Sequence, residues 1–190
     1  MNRKSLFNSK SLRILVIGGQ PKSLINFRGS ILQAMVAAGH LVATSANGRD
    51  HIVERKLQRI GVEYYPIRLS RAGINPIVDL VTFINLIRLI SKIHPDIVLT
   101  YTIKPVIYGG LAARLCGVPS VYSMITGLGY AFMESTSLIQ RYSGFIAQML
   151  YRLSLKKSRK VFFQNPDDQT LFLEKELVRP HQPVLINGSG

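Results

Sequence analysis

Residues 13–19 read Arg13-Ile14-Leu15-Val16-Ile17-Gly18-Gly19, a largely β-branched apolar run that ends in two glycines. Because the run is short and is followed at once by glycine, it predicts a buried β-strand. Apolar residues then recur at helical spacing from Leu24 to Ala38, and Gly39 stands where a helix would end. A strand, a glycine turn and a helix in this order predict the first βα unit of a parallel sheet.

The same alternation continues along the rest of the chain. Six further strands are predicted at 41–44, 62–65, 97–100, 121–125, 161–163 and 184–186. Six helices are predicted at 24–38, 52–60, 77–90, 105–116, 137–158 and 167–176. The pattern predicts an α/β fold class, a doubly wound, mostly parallel Rossmann-like sheet of about seven strands with right-handed crossovers.

Domain organisation follows from where this alternation begins and ends. Residues 1–12 form a basic N-terminal extension, 13–186 form the Rossmann-like domain, and 187–190 are expected to begin an interdomain linker. No segment has the run of about 20 apolar residues that a membrane-spanning helix needs. The apolar run after residue 13 is also too short for a signal peptide.

Composition limits the partners that this chain can have. The 190 residues include 24 Lys and Arg against 10 Asp and Glu, a formal net charge of +14, which predicts an anionic ligand or surface. Nucleic acid is not expected, because the basic residues lack aromatic interleaving, a recognition-helix motif and zinc spacing. The one cysteine, Cys116, permits no internal disulfide and indicates an intracellular protein.

Ligands of doubly wound sheets bind beyond the carboxyl ends of the strands, where the strand order reverses. The loops at 18–26, 101–105 and 126–132 are therefore expected to form the site. The first of these fails the dinucleotide pattern because Gln20 replaces a glycine, and no Gly-Lys-Ser/Thr makes a P-loop. We therefore predict no cofactor, and since no clustered metal ligands or Ser-His-Asp set is found, no metal.

Two interpretations stay open for the cationic and glycine-rich loops. Gly18 and Gly19, followed by Lys22, either face a phosphate or form a plain strand-to-helix turn in which the glycines supply positive φ. Arg28 is expected on the next helix, where an exposed arginine is the ordinary alternative. Lys104 is the strongest cationic candidate, a mobile ammonium at the end of a strand. The loop at 126–130 either approaches a ligand with its backbone or is a surface turn.

The segment 138–160 combines a basic end with an apolar helical stripe, formed by Leu138, Tyr142, Phe145, Ile146, Met149 and Leu153. Its cations, which no acid accompanies, are Arg141, Arg152, Lys156, Lys157, Arg159 and Lys160. Such a pattern is typical of interfacial helices, and basic residues near an anionic leaflet contribute about 1 kcal/mol each. The alternative is a domain helix that packs its stripe on the sheet, with a solvated basic end.

Several strings resemble the N-terminal half of bacterial family 4 glycosyltransferases that act on undecaprenyl-diphosphate-linked sugars. The strings are IGGQPKSLINFRG at 17–29, YTIKPVIYG at 101–109, ITGLGYAF at 125–132, FFQNPDD at 162–168 and INGSG at 186–190. The resemblance covers residues 12–190. It implies a GT-B fold of two Rossmann-like domains and a retaining, metal-independent transferase, with the acceptor bound mainly by the N-terminal domain.

The resemblance also implies roles for residues and partners. Gly18 and Gly19 would line the cleft near the donor phosphates, and Thr126, Gly127 and Gly129 would lie beside the reacting sugars. Lys22, Arg28 and Lys104 are then inferred contacts to the acceptor diphosphate. The donor substrate would be a nucleotide sugar, guessed as a UDP-sugar, that passes a hexose or N-acetylhexosamine to a lipid-linked glycan in cell-surface polysaccharide synthesis.

The sequence departs from the family's pattern in two respects. Many relatives carry a histidine in the loop after the fifth strand, and this loop has none. The C-terminal donor domain is also absent from the 190 residues, so we expect the chain alone to be inactive and to need that domain in cis or in trans. The expected place is the cytoplasmic face of the inner membrane, as a peripheral protein; the alternative is a noncatalytic membrane-associated subunit or truncated product of the same fold.

Overall fold

Seven parallel strands form one sheet in the computed structural model of the chain, which describes residues 11–69, 75–128 and 138–188, with backbone only for 138–141 and 143. The strands are β1 (Arg13–Ile17), β2 (Leu41–Asn47), β3 (Val62–Ile67), β4 (Ile97–Tyr101), β5 (Ser120–Ile125), β6 (Lys160–Phe163) and β7 (Pro183–Leu185). Their order across the sheet is β3-β2-β1-β4-β5-β6-β7. The predicted doubly wound sheet is thus confirmed, and its strand order reverses between β1 and β4.

The helices that cross between the strands cover both faces of the sheet. They are α1 (Pro21–Asn26), α2 (Gly29–Ala37), α3 (His51–Arg59), α4 (Pro76–Ile93), α5 (Gly110–Leu115), α6 (Leu138–Leu155) and α7 (Pro166–Glu174). A π-helical turn at Pro105–Gly109 leads directly into α5. The sequence predicted one continuous helix over 105–116, so this widened first turn is a difference from prediction.

Alternation along β1 divides the core into two layers. Ile14 and Val16 pack on the side of α1, α2 and α3, where Leu32 and Leu57 are fully buried. Leu15, on the opposite face, packs against α4 and α5. Val121 and Ile125 of β5 share that second face, and Ile125 packs against α6. Helices α4, α5 and α6 therefore form one layer, and α1, α2 and α3 form the other.

Local signals fix where α3 and α4 begin. The Asp50 carboxylate accepts hydrogen bonds from the backbone N–H groups of Ile52 and Val53, both at 3.1 Å. Asn75 caps α4 in the same way by accepting from the Val78 N–H at 3.2 Å. Each cap satisfies N–H groups that the first turn of a helix leaves without partners.

The helix predicted over 24–38 is wrong in one respect, because the structure breaks it at Phe27 and Arg28. Phe27 ends α1 by donating its N–H to the Ser23 carbonyl at 3.1 Å, and α2 begins at Gly29. Arg28 lies in the break and is only 4% exposed. The alternative of an ordinary exposed helix arginine is therefore wrong.

Parts of the predicted terminal segments lie outside the described residues. Of the extension 1–12, only Ser11 and Leu12 are described; the Ser11 hydroxyl donates to the Gly39 carbonyl at 2.7 Å, and Leu12 packs on the core. Of the linker 187–190, residues 189 and 190 lie outside. The domain boundaries as a whole stay a prediction.

Candidate functional site

A cleft of about 770 Å³ opens at the carboxyl ends of β1 and β4, where the strand order reverses. The described residues that line it are Gly19, Gln20, Lys22, Ser23, Asn26, Phe27, Arg28, Leu69, Tyr101, Thr102, Ile103, Lys104, Pro105, Thr126, Gln164 and Gly188. They come mainly from two of the loops that the sequence singled out. The volume of the cleft is that of a pocket for a small-molecule ligand.

The glycine pair after β1 allows the end of β4 to approach closely. A Cβ on Gly18 would overlap the Tyr101 ring, and a Cβ on Gly19 would come within 2.9 Å of Thr102 Oγ1. Neither glycine has a positive φ. The turn therefore needs glycine for space, and the alternative that these glycines only supply positive φ is wrong. Gly19 lines the cleft, whereas the Gly18 N–H is used in a 2.9 Å hydrogen bond to the Ser45 carbonyl.

Tyr101 links the first two loops of the cleft. Its hydroxyl lies 2.8 Å from Ser23 Oγ, and its ring lies 4.9 Å below the guanidinium carbon of Arg28. Burial raises the pKa of Tyr101 to about 12, against the lowering effects of the Ser23 hydrogen bond and the Arg28 charge. Burial likewise lowers the pKa of Arg28. The hydroxyl of Tyr101 thus stays protonated while its ring holds the guanidinium at the wall of the cleft.

Lys104 is held by a buried carboxylate. Its Nζ donates to Asp79 Oδ1 at 2.6 Å, and both side chains are about 5% exposed or less. The prediction of a mobile ammonium is therefore wrong, because the ion pair fixes the Lys104 side chain at the cleft wall. The sequence analysis missed Asp79, although it is the one acid in the apolar helix α4 and lies on that helix's buried face.

Thr102 adopts a backbone conformation that β-branched residues rarely take. Its φ is +68°, and its Oγ1 is buried without a hydrogen-bond partner among the described residues. Such a conformation costs on the order of 1–3 kcal/mol and clusters at ligand sites in proteins. Thr102 immediately follows β4, two residues before Lys104, and lines the wall of the cleft.

The third loop is described only in part. Thr126 lines the cleft and is exposed, and Gly127 has a φ of +144°, a value that favours glycine. Gly129 lies outside the described residues. Lys22, by contrast, is an exposed cation at the start of α1.

The electrostatics of the cleft favour an anion. Lys22, Arg28 and Lys104 line it, and none of its described lining residues is acidic. Asp79 offsets the charge of Lys104 from behind the wall. Two further cations therefore remain as net positive charge in a space with low-dielectric walls, where such charge acts strongly on phosphate groups.

Most of the basic residues predicted to contact a membrane lie far from this cleft. Arg152, Lys156, Lys157, Arg159 and Lys160 are exposed. The Arg159 N–H donates to the Val121 carbonyl at 2.8 Å, which places the end of α6 at the amino-terminal edge of the sheet. Arg152 and Lys160 donate to the Lys175 and His181 carbonyls, each at 2.7 Å. For Arg141 only the backbone is described.

The apolar stripe predicted for α6 faces solvent, so the alternative that it packs on the sheet is wrong. Tyr142, Phe145, Met149 and Leu153 are 43–69% exposed and Ile146 is half-buried. The face of α6 that packs in the core consists of other residues, Ala147, Tyr151 and Leu155. No helix among the described residues is both long and apolar enough to span a bilayer. The stripe thus leaves an apolar surface on α6.

The strand order, together with a cationic cleft at its reversal point, defines a Rossmann-like ligand-binding domain. Residues 26–165 match the family described as Glycosyl transferase 4-like, and the chain belongs to that family. This confirms the resemblance seen in the sequence.

Comparisons with individual proteins agree with the family. The chain is 25% identical over 157 residues to the N,N'-diacetylbacillosaminyl-diphospho-undecaprenol alpha-1,3-N-acetylgalactosaminyltransferase of Campylobacter jejuni, covering 81% of this chain and 40% of the relative. It resembles the crystal structure of a glycosyltransferase from Rickettsia africae with a TM-score of 0.65 and 18% identity, covering 94% of this chain and 43% of that one.

An epimerase shares the fold as well. The UDP-GlcNAc 2-epimerase of Neisseria meningitidis, solved bound to UDP-GlcNAc, matches with a TM-score of 0.63 and 14% identity over 94% of this chain and 47% of its own. The fold alone therefore does not separate transferase from epimerase. The chain spans less than half the length of each of these three proteins.

Proposed function

We propose that this chain is the acceptor-binding domain of a retaining glycosyltransferase that moves a hexose or N-acetylhexosamine to a lipid-diphosphate-linked glycan. The observation that carries the proposal is the convergence of Lys22, Arg28 and Lys104 on a cleft whose described lining residues include no acid. A diphosphate offers several anionic oxygens to such a set of cations. The Campylobacter relative acts, by its name, on a diphospho-undecaprenol-linked sugar, which supports the same substrate class.

The rest of the reaction is assigned by analogy with the family. A nucleotide sugar, for which we propose a UDP-sugar, would be bound by a C-terminal donor domain supplied in cis or in trans. Its phosphates would lie near Gly18 and Gly19, and the reacting sugars beside Thr126, Gly127 and Gly129. The enzyme would work as a peripheral protein on the cytoplasmic face of the inner membrane, without a metal.

Direct binding of a lipid diphosphate tests the proposal. Isothermal titration calorimetry with farnesyl diphosphate should give binding, and farnesol should give none. Lys22→Gln should weaken binding by at least about tenfold, because a charge-assisted contact contributes about 1.5–3 kcal/mol. Lys56→Gln, an exposed cation on α3, is the matched control. Equal effects of the two substitutions, or no binding at all, would contradict the proposal.

The alternative is a noncatalytic membrane-associated subunit of the same fold. It is supported by the apolar side chains that α6 exposes, since they suit a surface for another component. A transfer assay with radiolabelled UDP-sugars and a lipid-linked acceptor separates the two. We expect no product from the chain alone and product after a separately expressed donor domain is added; transfer by the purified chain alone would refute the acceptor-domain assignment.

A further inference from the structure

The outward face of α4 carries an uncovered aliphatic stripe. Ile77, Leu80, Val81 and Ile84 follow one another at the three- and four-residue spacing of one helix face, and they are 77%, 57%, 43% and 38% exposed. The opposite face of the helix is packed, since Leu86, Leu89 and Ile90 are buried in the core. Four neighbouring exposed aliphatic residues on one helix are more than the scattered apolar residues that a soluble surface normally carries.

The stripe belongs to the helix that supports one wall of the cleft. Asp79, within the same helical turns, contacts the cleft residue Lys104 at 2.6 Å. Thr82 donates its hydroxyl to the Arg68 carbonyl at 2.8 Å, one residue before the cleft residue Leu69. The first half of α4 thus packs directly behind the wall that Lys104 and Leu69 give to the cleft.

The charged side chains that α4 itself exposes are positive. Arg88 and Lys92 continue along the solvent side of α4, and Arg68, whose carbonyl accepts the Thr82 hydroxyl, is also exposed. Asp79, the one acid of this helix, has its carboxylate buried in the ion pair. An aliphatic stripe with flanking cations and no exposed acid on the helix is the pattern of a helix that lies in the interface of an anionic membrane.

We propose that the stripe Ile77–Ile84 of α4 enters the acyl boundary of an anionic bilayer and so holds the cleft at the membrane surface. This inference rests on the proposed function, because only the proposed function makes the acceptor a lipid. A diphosphate attached to a lipid lies at the headgroup level, and α4, which is joined to the cleft wall by the Asp79–Lys104 ion pair, would hold the cleft close to that level once its stripe is inserted. A second copy of the chain fits less well, because one stripe of four side chains is narrow against the roughly 800 Å² per partner of a stable interface.

A single tryptophan reports the insertion directly, since the chain contains none. Leu80→Trp places the probe in the stripe, and Ile52→Trp, at a 62% exposed residue of α3 on the opposite sheet face, is the matched control. With vesicles of phosphatidylcholine and phosphatidylglycerol, we expect the Leu80→Trp emission to shift to the blue and to gain protection from acrylamide. The Ile52→Trp emission should stay unchanged.

A loss-of-function variant complements the probe. Leu80→Gln with Ile84→Gln should lower vesicle flotation at least tenfold, whereas Ile52→Gln should have no effect; thermal melts check that all variants fold. The proposal is overturned if the Leu80→Trp variant floats with the vesicles but its emission does not shift. It is also overturned if the emission shifts without vesicles and the protein has twice its monomer mass, because a second copy of the chain would then cover the stripe. The vesicles contain no lipid-linked sugar, so this failure leaves farnesyl diphosphate binding, and hence the proposed function, untouched.

Discussion

The buried ion pair of Lys104 and Asp79 constrains the cleft at the level of single side chains. We expect Asp79→Asn to destabilise the protein by about 3–5 kcal/mol, because it leaves the Lys104 ammonium buried without a counter-charge. Lys104→Met should cost a similar amount. The double substitution should cost much less than the sum of the two, since it removes both charges together.

Urea unfolding of the two single variants and the double variant measures this coupling. If the loss of unfolding free energy in the double variant equals the sum of the two single losses, the pair does not interact in solution. The same double variant tests the site: if it folds and still binds farnesyl diphosphate as the unmodified chain does, Lys104 serves the fold and makes no contact with the diphosphate.

Tyr101 should make stability fall at high pH. Its pKa is raised from 10.0 to about 12 by burial, so the folded state keeps the proton that the unfolded state loses first. Its contribution is fully present below about pH 10 and is lost as the pH rises toward about 12. The loss is about 1 kcal/mol by pH 11 and on the order of 2 kcal/mol near pH 12.

Unfolding free energies measured near pH 9 and near pH 11 check this prediction. Tyr101→Phe keeps the ring under Arg28 and removes the titrating hydroxyl, so its stability should depend less on pH over this interval. An identical pH dependence in the two proteins would contradict the assignment to Tyr101. Tyr64, whose pKa is also raised to about 12, lowers the stability of both proteins at high pH in the same way.

Sequence reasoning located the cationic residues of the cleft but not their surroundings. Lys22 and Lys104 were predicted at the site because each follows a predicted strand, and the ends of parallel strands meet at one edge. The burial of Arg28 depends on the Tyr101 ring, 73 positions further along the chain, so no local pattern could reveal it. Asp79 was missed for the same reason: its partner Lys104 is 25 residues away.

At the scale of elements, glycines decide how closely the helices pack. Gly110, at the start of α5, faces Ser154 of α6 so closely that a Cβ would overlap the Ser154 hydroxyl. That hydroxyl donates to the Val106 carbonyl in the π-helical turn. Gly110→Ala should therefore destabilise the protein by about 1–3 kcal/mol, as overpacking does in other cores.

Gly29→Ala is the matched control, because a Cβ at that helical position meets nothing within 4 Å. It should stabilise the protein by roughly 0.5–1 kcal/mol, since alanine loses less backbone entropy than glycine in a helix. Chemical denaturation of both variants gives the comparison. Equal changes would mean that α5 and α6 are not packed as closely as the structure describes.

The strands were predictable as elements, whereas helix continuity was not. Each strand contains a short run rich in apolar residues, so its position could be read locally, although β2 continues to Asn47, three residues past its predicted end. The apolar period through Phe27 and Ile31 predicted one helix, yet these two side chains are 50% and 38% exposed. The break between them brings Arg28 over Tyr101, a tertiary contact that overrides the local preference for a continuous helix.

At the scale of the whole molecule, the layer of α4, α5 and α6 differs from the opposite layer in its exposed surface. It carries the aliphatic stripe of α4, the exposed apolar residues of α6 and the cations at the end of α6. The net charge of +14 attracts any anionic surface, but only a local arrangement of cations and apolar groups sets which face meets it. The predicted membrane contact of α6 can therefore be tested by removing cations from α6 and, separately, from the opposite layer.

Two charge-matched double variants separate local contact from net charge. Lys156→Gln with Lys157→Gln removes two exposed cations from the end of α6, and Arg55→Gln with Lys56→Gln removes two from α3 on the opposite face. If the α6 residues contact the leaflet, the first variant should bind phosphatidylglycerol vesicles about thirtyfold more weakly, since each cation near the surface contributes about 1 kcal/mol. The α3 variant, with the same net charge, should lose no more than a few-fold through weakened long-range attraction. Equal losses in co-sedimentation would mean that the end of α6 acts only through the net charge of the protein and makes no local contact, leaving the stripe of α4 as the contact.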